Sequence, residues 1–509
     1  MTYPNPHSAP PPQPGPGGPG AAWGQPAPPP AGAAWPAPAG IDLGALPAGA
    51  APQRRGRGRL IAVIAGALAV LLLGAGGAFA VALWKGFGRQ PESAVPASTA
   101  AFARLDLSPG LGQLTRLAAL AGKFPDAKSV TSPDELRYQL VNELVPGMSR
   151  QEVEGWFGDR LGVGLWQHAS APVAVIALAS DDDEKAGAAL ARARAAADDG
   201  ELGFVVSDGY ALVVRADRDA QAAADAAARA AEEESLADQA AFADALDKLP
   251  DGQLALGWVD AERVRPMLEK AAEAGGARAR EAFSQALPQL RGQVVVGAQA
   301  TDAGFEVRAR AIGQAGLTGA TDVRPQLEGL PAATGVGLAL SGGDHLRQAV
   351  EQAFPLLPPE VASPQLKDAL KKITTVSLAL DRLGGAVPGV ALLIRTADDA
   401  AAEVLTEAAK PLAGSGSVQV TRKANGVQVA TAGYVGGGGR LGDSARYREA
   451  MTGMPDTLYL AGYADVEKLL ADAEAPADMR RSLGPVKAVS LGVGPDGDGH
   501  TVLLRVLIP

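Results

Sequence analysis

The chain of 509 residues carries 46 Lys and Arg against 56 Asp and Glu, a net charge of −10, and no cysteine. Without cysteine there is no disulfide framework, no thiol nucleophile and no lipidated Cys anchor. The acidity argues against nucleic acid as a partner and against adhesion to an anionic membrane surface, and it favours solubility.

Residues 1–53 read as a disordered Pro/Gly/Ala-rich cytoplasmic arm. Of the 39 prolines, 16 fall before residue 53. Such a stretch cannot bury a core and favours polyproline II. Its two tryptophans, Trp23 and Trp35, sit in similar Ala- and Pro-rich settings. The arm reads as a solvated spacer or as a docking arm for a cytoplasmic partner that recognises Pro-rich segments.

Next comes one uncharged apolar run, Leu60–Leu83. About 20 apolar residues cross a bilayer core, so residues 54–85 are expected to be a transmembrane anchor with a basic flank. Arg54, Arg55, Arg57 and Arg59 precede the run, and only Lys85 and Arg89 follow closely. The positive-inside rule then keeps the N-terminus cytoplasmic and puts the body outside the cell membrane. Ala78-Phe79-Ala80 also has the form of a cleavage site, and a signal peptide cut after Ala80 is the alternative.

After a linker, 86–94, the body contains repeated blocks in the same order. The stretch 95–110 parallels 330–343, and 159–193 parallels 373–408. Further on, 236–268 parallels 441–473, and 291–312 parallels 486–508. Two copies are therefore expected, 95–313 and 330–509, joined by a linker at 314–329. Within each copy a strand ends in a capping residue and leads into an amphipathic helix. The candidate caps are Asp106 or Ser108, Asp260, Ser341 or Asp344, and Asp465. Paired apolar strands follow, with Asp302, Gly304, Asp496, Gly497, Asp498 and Gly499 in the turns. In 101–106 one strand face is apolar and the other half-polar, so one side of the sheet should meet solvent or a groove. The Ala- and acid-rich segment 217–249 is helical by propensity and reads as a solvated surface helix. The fold class expected is α+β: an N-terminal transmembrane helix, then a duplicated extracytoplasmic body of antiparallel or mixed sheets with helices packed on one face.

Searches for catalytic signatures find no phosphate-binding loop, no His-Glu-x-x-His, no serine signature with Lys three residues on, and no nucleophile elbow. Three stretches have compositions that could hold an ion or a phosphate. Asp181–Glu184 could bind a cation, but it follows Ser180 and reads as a helix start. The string 495–500 resembles a calcium loop, but the twelfth position counted from Asp496 is Leu507, so it reads as a hairpin turn. Gly436–Gly439 could wrap a phosphate, but only Arg440 is near, and a loop is the plainer reading. Trp156-Phe157-Gly158-Asp159 reads as a core anchor or as part of a recognition groove. His168, His345 and His500 are far apart in sequence. No catalytic residue, metal ligand or cofactor is expected.

The order of the arm, the RGR-flanked apolar helix, Pro96–Gly110, Trp156–Gly164 and the helix start at Ser180–Ala186 resembles the membrane-anchored bacterial proteins grouped as the domain of unknown function 3352 family. The resemblance covers the anchor and 91–509. It implies topology and fold; it implies no activity and no site residues.

The function expected is a non-enzymatic binding or interaction module of the cell envelope, anchored by one membrane helix, with an envelope protein or lipid as partner. The alternative is a tethered protein that binds or transfers lipid or another hydrophobic ligand. A hydrolase built from dispersed acids is the third possibility.

Overall fold

The computed structural model describes residues 89–509, apart from 126–132, 170, 198–199, 217, 275–290, 315–318, 357–361, 385–386, 414–415 and 474. The first half contributes strands β1 (Ala101–Asp106), β2 (Phe157–His168), β3 (Ala171–Ser180), β4 (Leu202–Ser207), β5 (Tyr210–Arg215), β6 (Ala255–Asp260), β7 (Gln293–Thr301) and β8 (Gly304–Ile312). The second contributes β9 (Val336–Ser341), β10 (Ile373–Arg382), β11 (Gly389–Thr396), β12 (Val418–Lys423), β13 (Gly426–Thr431), β14 (Leu460–Asp465), β15 (Ala488–Asp496) and β16 (Gly499–Leu507).

All of them form one 16-stranded sheet, ordered 12-13-11-10-9-14-15-16-8-7-6-1-2-3-5-4. Read from the centre outward, the two halves have the same strand order. The centre is the antiparallel pair β8–β16, where Arg308 faces Leu503. By strand order and register these two residues are each other's counterparts, so a pseudo-two-fold axis passes through the pair, as in an isologous interface.

Helices α1 (Leu111–Ala121), α2 (Pro133–Leu144), α3 (Arg150–Glu154), α4 (Asp183–Ala196), α5 (Ala220–Glu233), α6 (Ala240–Leu246) and α7 (Ala261–Ala274) belong to the first half. The second half has α8 (Arg324–Glu328), α9 (Asp344–Ala353), α10 (Pro364–Lys371), α11 (Asp399–Ala413), α12 (Ala445–Ala450), α13 (Val466–Asp472) and α14 (Ala477–Leu483). One sheet face holds Phe102, Trp166, Val175, Leu212 and Trp258, buried beneath α5 and α6. The opposite face holds Leu105, Leu161, Ile176 and Val213, buried beneath α2, α3 and α4.

This corrects the expected fold class. There is one sheet where several were expected, every pairing in it is antiparallel, and helices cover both faces. Small residues allow the second layer. Gly297 and Gly492 hold equivalent places on β7 and β15. A side chain at Gly297 would meet Leu249 and Gln253, and one at Gly492 would meet Met454 and Leu458.

The membrane expectation is also corrected. Among the described residues no helix is long and apolar enough to cross a membrane. The longest, α11, has 15 residues and carries Asp399, Glu403, Glu407 and Lys410. At 1.5 Å per residue it spans about 22 Å, short of a bilayer core of about 30 Å. The single-pass topology, the integral membrane partner and the membrane localisation with an extracytoplasmic body are therefore withdrawn. The segment Leu60–Leu83 lies outside the described residues, as do Ala80 and the arm with Trp23 and Trp35.

The segment 217–249 departs from expectation too. It breaks at Ser235 into α5 and α6, and Ala220, Ala223, Ala224 and Ala227 are fully buried against β4 and β5. Beside it, the Gln221 side chain accepts from the Phe204 amide at 3.2 Å and donates to the Phe204 carbonyl at 3.0 Å. A side-chain amide thus completes the hydrogen bonding of an edge strand, the usual weak point of an open sheet. Gln221→Ala should cost about 1 kcal/mol. Denaturant unfolding would show it, together with faster hydrogen exchange at Phe204; unchanged exchange would contradict the role.

Candidate functional site

The two faces of the central and second-half strands differ in an unexpected way. Along most of β9, β10, β14 and β15, buried and half-buried residues alternate. The buried face is mostly small and partly polar, with Ala339, Thr375, Ser377, Ala379, Ala461 and Ser490 beside the larger Tyr463. Helices α8 and α12 pack over it. The half-exposed face is aliphatic.

Strand register aligns that face into rows. One runs Ala298, Val307, Leu504, Leu491, Gly462, Leu338, Leu378, Leu392. The next runs Val296, Ala309, Val502, Val493, Leu460, Leu340, Val376, Ile394. On the other flank a third runs Ala300, Phe305, Val506, Val489, Ala464, Val336, Leu380, Val390. None of these side chains is charged or can hydrogen-bond. Leu338, Leu340, Leu378, Leu392, Leu460, Leu491, Val493, Val502, Leu504 and Val307 belong to none of the buried clusters. Helices close these rows at their flanks: Val376 and Ile394 pack in the cluster of α10 and α11, and Phe305, Val489 and Val506 pack with Leu117 and Leu120 of α1. The half-open aliphatic patch left between them, around Leu338, Leu340, Leu460, Leu491 and Leu504, is the candidate interaction surface.

The first half serves as an internal control. Leu105 and Leu340 occupy the same register position in the two halves. Leu105 is 6% exposed and Leu340 is 38% exposed. Leu105 is buried in the cluster beneath α2, α3 and α4, and the helix that follows β6 and β14 adds a second difference, at the neighbouring row. In the first half α7 places Val264 and Met267 over Ala101, Leu165 and Val259. In the second, α13 has half the length, and Asp472 stands where α7 has Met267. Val336 is half-open where its counterpart Ala101 is buried, while Leu380 and Ala464 are half-buried like their counterparts Leu165 and Val259.

An ion network anchored on the buried Asp465 fixes where α13 begins. Asp465 caps it by accepting from the Lys468 amide at 3.1 Å. Arg446 donates to both Asp465 carboxylate oxygens, at 2.8 and 3.0 Å, and also pairs with Glu467, which Lys487 reaches at 2.9 Å. Hydrogen bonds from Lys487 and Arg446 hold the Glu467 carboxyl below the usual carboxylate range. Elsewhere the Tyr459 hydroxyl contacts His500 Nδ1, and burial pushes the Tyr459 phenol up to about 12.

The stretches singled out in the sequence have structural roles. Asp182 is the N-cap of α4 and accepts from the Lys185 amide. Asp496–Gly499 is the β15–β16 turn. The Gly436 and Val435 amides donate to Asp381 Oδ2 at 2.8 and 2.9 Å, so the start of the glycine-rich loop binds its own carboxylate. Trp156 is buried with Phe157 in the core beneath α2 to α4. Of the candidate caps, Asp260 accepts from the Glu262 and Arg263 amides, and Asp106 from Ser108. Ser341 instead accepts from Thr321. His168 stacks on Trp166 at 5.5 Å, whereas the His345 side chain lies outside the described residues. A polar cavity of about 270 Å³ is lined by Arg89, Ser93, Tyr210, Ser235 and Asp238. Its groups bond mainly to one another, Tyr210 to the Arg89 carbonyl and Ser235 to Asp238. Among the described residues no group of three or more His, Asp or Glu is placed to hold a metal ion.

One electrostatic contact has a pH consequence. Ser149 caps α3 in a reciprocal box with Glu152. Hydrogen bonds from Ser149, then from Arg192 on α4, lower the Glu152 carboxyl to about 2. A carboxylate with a depressed folded value stabilises fully above its ordinary 4.5, and the contribution is lost as pH falls through about 2. An acid titration of Ser149→Ala should show a shallower loss of stability across that window than the parent; identical curves would remove the box as a contributor.

No family model matches the chain, and no curated protein or solved structure is significantly similar to it.

Proposed function

We propose that the protein binds a lipid through its acyl chains on the half-open aliphatic patch of β9, β14, β15 and β16. The observation that carries this reading is a patch on β9, β14, β15 and β16: helices cover the face of Ala339, Ala461 and Ser490, while Leu338, Leu340, Leu460, Leu491 and Leu504 on the other face are left half-open. A well-packed soluble fold hides its aliphatic side first, because burial stabilises by roughly 25 cal/mol per Å². Leaving that side uncovered in one half, when the same position is covered in the other, favours a ligand that completes it.

A protein partner would leave a different signature. Protein interfaces concentrate Trp, Tyr, Arg and Met within a polar rim. The two rows through Leu504 and Val502 contain none of these residues. Smooth aliphatic surface suits hydrocarbon.

The test is to purify the full chain without detergent, denature it and examine the organic extract by mass spectrometry. A lipid recovered in near-stoichiometric amount supports the reading. An extract without lipid, from a protein that also fails to take up a fluorescent fatty acid, would end it.

A further inference from the structure

Resting on that reading, we propose that His500, backed by Tyr459, holds the carboxyl end of a single-chain lipid at one margin of the patch, in the place that α1 closes in the first half.

The two halves differ there position by position. In the first half α1 packs Leu117 and Leu120 into one cluster with Leu254, Ala300 and Phe305. Its Gln113 side chain also accepts from the Ala300 amide at 3.0 Å. Strand register makes Tyr459, Pro495 and His500 the counterparts of Leu254, Ala300 and Phe305. The leucine and phenylalanine are replaced by a tyrosine and a histidine in mutual contact. The alanine is replaced by a proline, which has no amide for a covering helix to satisfy. The helices differ accordingly. After β1, α1 packs on β7; after β9, α9 packs on α10, with Leu346 in the cluster of Leu366 and Ile373. Ala300 is fully buried, whereas Pro495 is exposed.

His500 borders the patch directly, because it shares a face of β16 with Val502 and Leu504. Same-face residues on a strand are about 6.8 Å apart, so Leu504 lies about 14 Å from His500. Val506, the next on that face, packs with α1. A bilayer core of about 30 Å holds two acyl chains end to end, so an ordinary chain is about 15 Å long. One such chain with its polar end at His500 covers Val502 and Leu504, beside Val493 and Leu491, and stops at α1.

The chemistry of this margin selects the polar end. Imidazole can hydrogen-bond a carboxyl group and attracts a carboxylate when protonated. The strand positions beside His500, Ala311 on β8 and Pro495 on β15, supply no Arg or Lys. A phosphate headgroup calls for such cations, and the exposed Asp498 in the adjoining turn would repel it. A lipid with no polar end would cover the pair with hydrocarbon and strip it of water without replacing the hydrogen bonds.

The experiment uses the full chain, stripped of lipid. It measures displacement of Nile red, an uncharged dye, by palmitate, by methyl palmitate and by a palmitoyl lysophosphatidic acid. Palmitate should compete more than about tenfold better than its methyl ester, and better than the phosphate-headed lipid. His500→Phe, which installs the residue type of its counterpart Phe305, should weaken palmitate more than about tenfold and leave the ester within about twofold. His500→Asp should weaken palmitate at least as much through repulsion, and stands in should His500→Phe unfold. Equal competition by acid and ester in the parent, tighter binding of the phosphate-headed lipid, or unchanged palmitate affinity in both variants would overturn the placement of the carboxyl end while leaving lipid binding intact. Failure of all three lipids to compete would overturn the ligand reading itself.

Discussion

Trp258→Ala should lower the unfolding free energy by about 3–5 kcal/mol, the range for deleting a fully buried large aromatic. Trp258 is completely buried on β6. Its ring meets Phe242 of α6 edge to face at 5.4 Å, and Phe242 meets Phe102 of β1 at 5.9 Å. The three rings join a central strand, its neighbour and the covering helix, so the cavity would open where sheet and helix layer are held together. The second half repeats the arrangement with Tyr463 on β14 and Tyr447 on α12, 5.3 Å apart. Burial raises both phenols well above their ordinary value. Equilibrium denaturation followed by tryptophan-independent circular dichroism would measure the loss. A change below about 1 kcal/mol would mean that the α6 layer does not depend on this contact.

Much of the local structure is legible in the sequence because local chemistry dictates it. The β15–β16 turn follows from Asp496, Gly497, Asp498 and Gly499. The start of α13 follows from Asp465 and that of α4 from the acidic run after Ser180. What escapes sequence reading is non-local. Nothing in 304–312 or 499–507 announces that these two strands pair with each other, because either could equally have been an edge. The expectation of helices on one face failed for a related reason. The alanines of α5 look like surface positions, and only Gly203, which lets the Ala220 backbone approach β4, shows that the helix packs closely. The aliphatic face was missed because the alternation in 373–382 is Thr, Ser and Ala against Val and Leu. Pattern reasoning assigns the polar set to solvent and the aliphatic set to the core. Here the small residues admit α8 and α12, and the leucines stay half-open.

The pseudo-symmetry makes that inversion testable with one substitution at two equivalent positions. Leu105→Asp should unfold the protein or cost about 4 kcal/mol or more, because the carboxylate would lie in the apolar cluster of Leu161, Val153 and Trp156. Leu340→Asp should cost under about 1 kcal/mol, since the side chain is already 38% exposed and can turn its carboxylate to water. The same change should weaken acyl-chain binding by more than about tenfold, because a charge within the aliphatic patch must be desolvated when hydrocarbon covers it. Denaturation midpoints and fatty-acid displacement on the pair separate the two effects. Equal destabilisation at both sites would mean that Leu340 is core and that the patch is not a surface. Unchanged stability with unchanged binding at Leu340 would mean that hydrocarbon does not lie there. Only the combination of a tolerated fold and a lost ligand follows from a sheet whose two halves share a register and differ in what covers it.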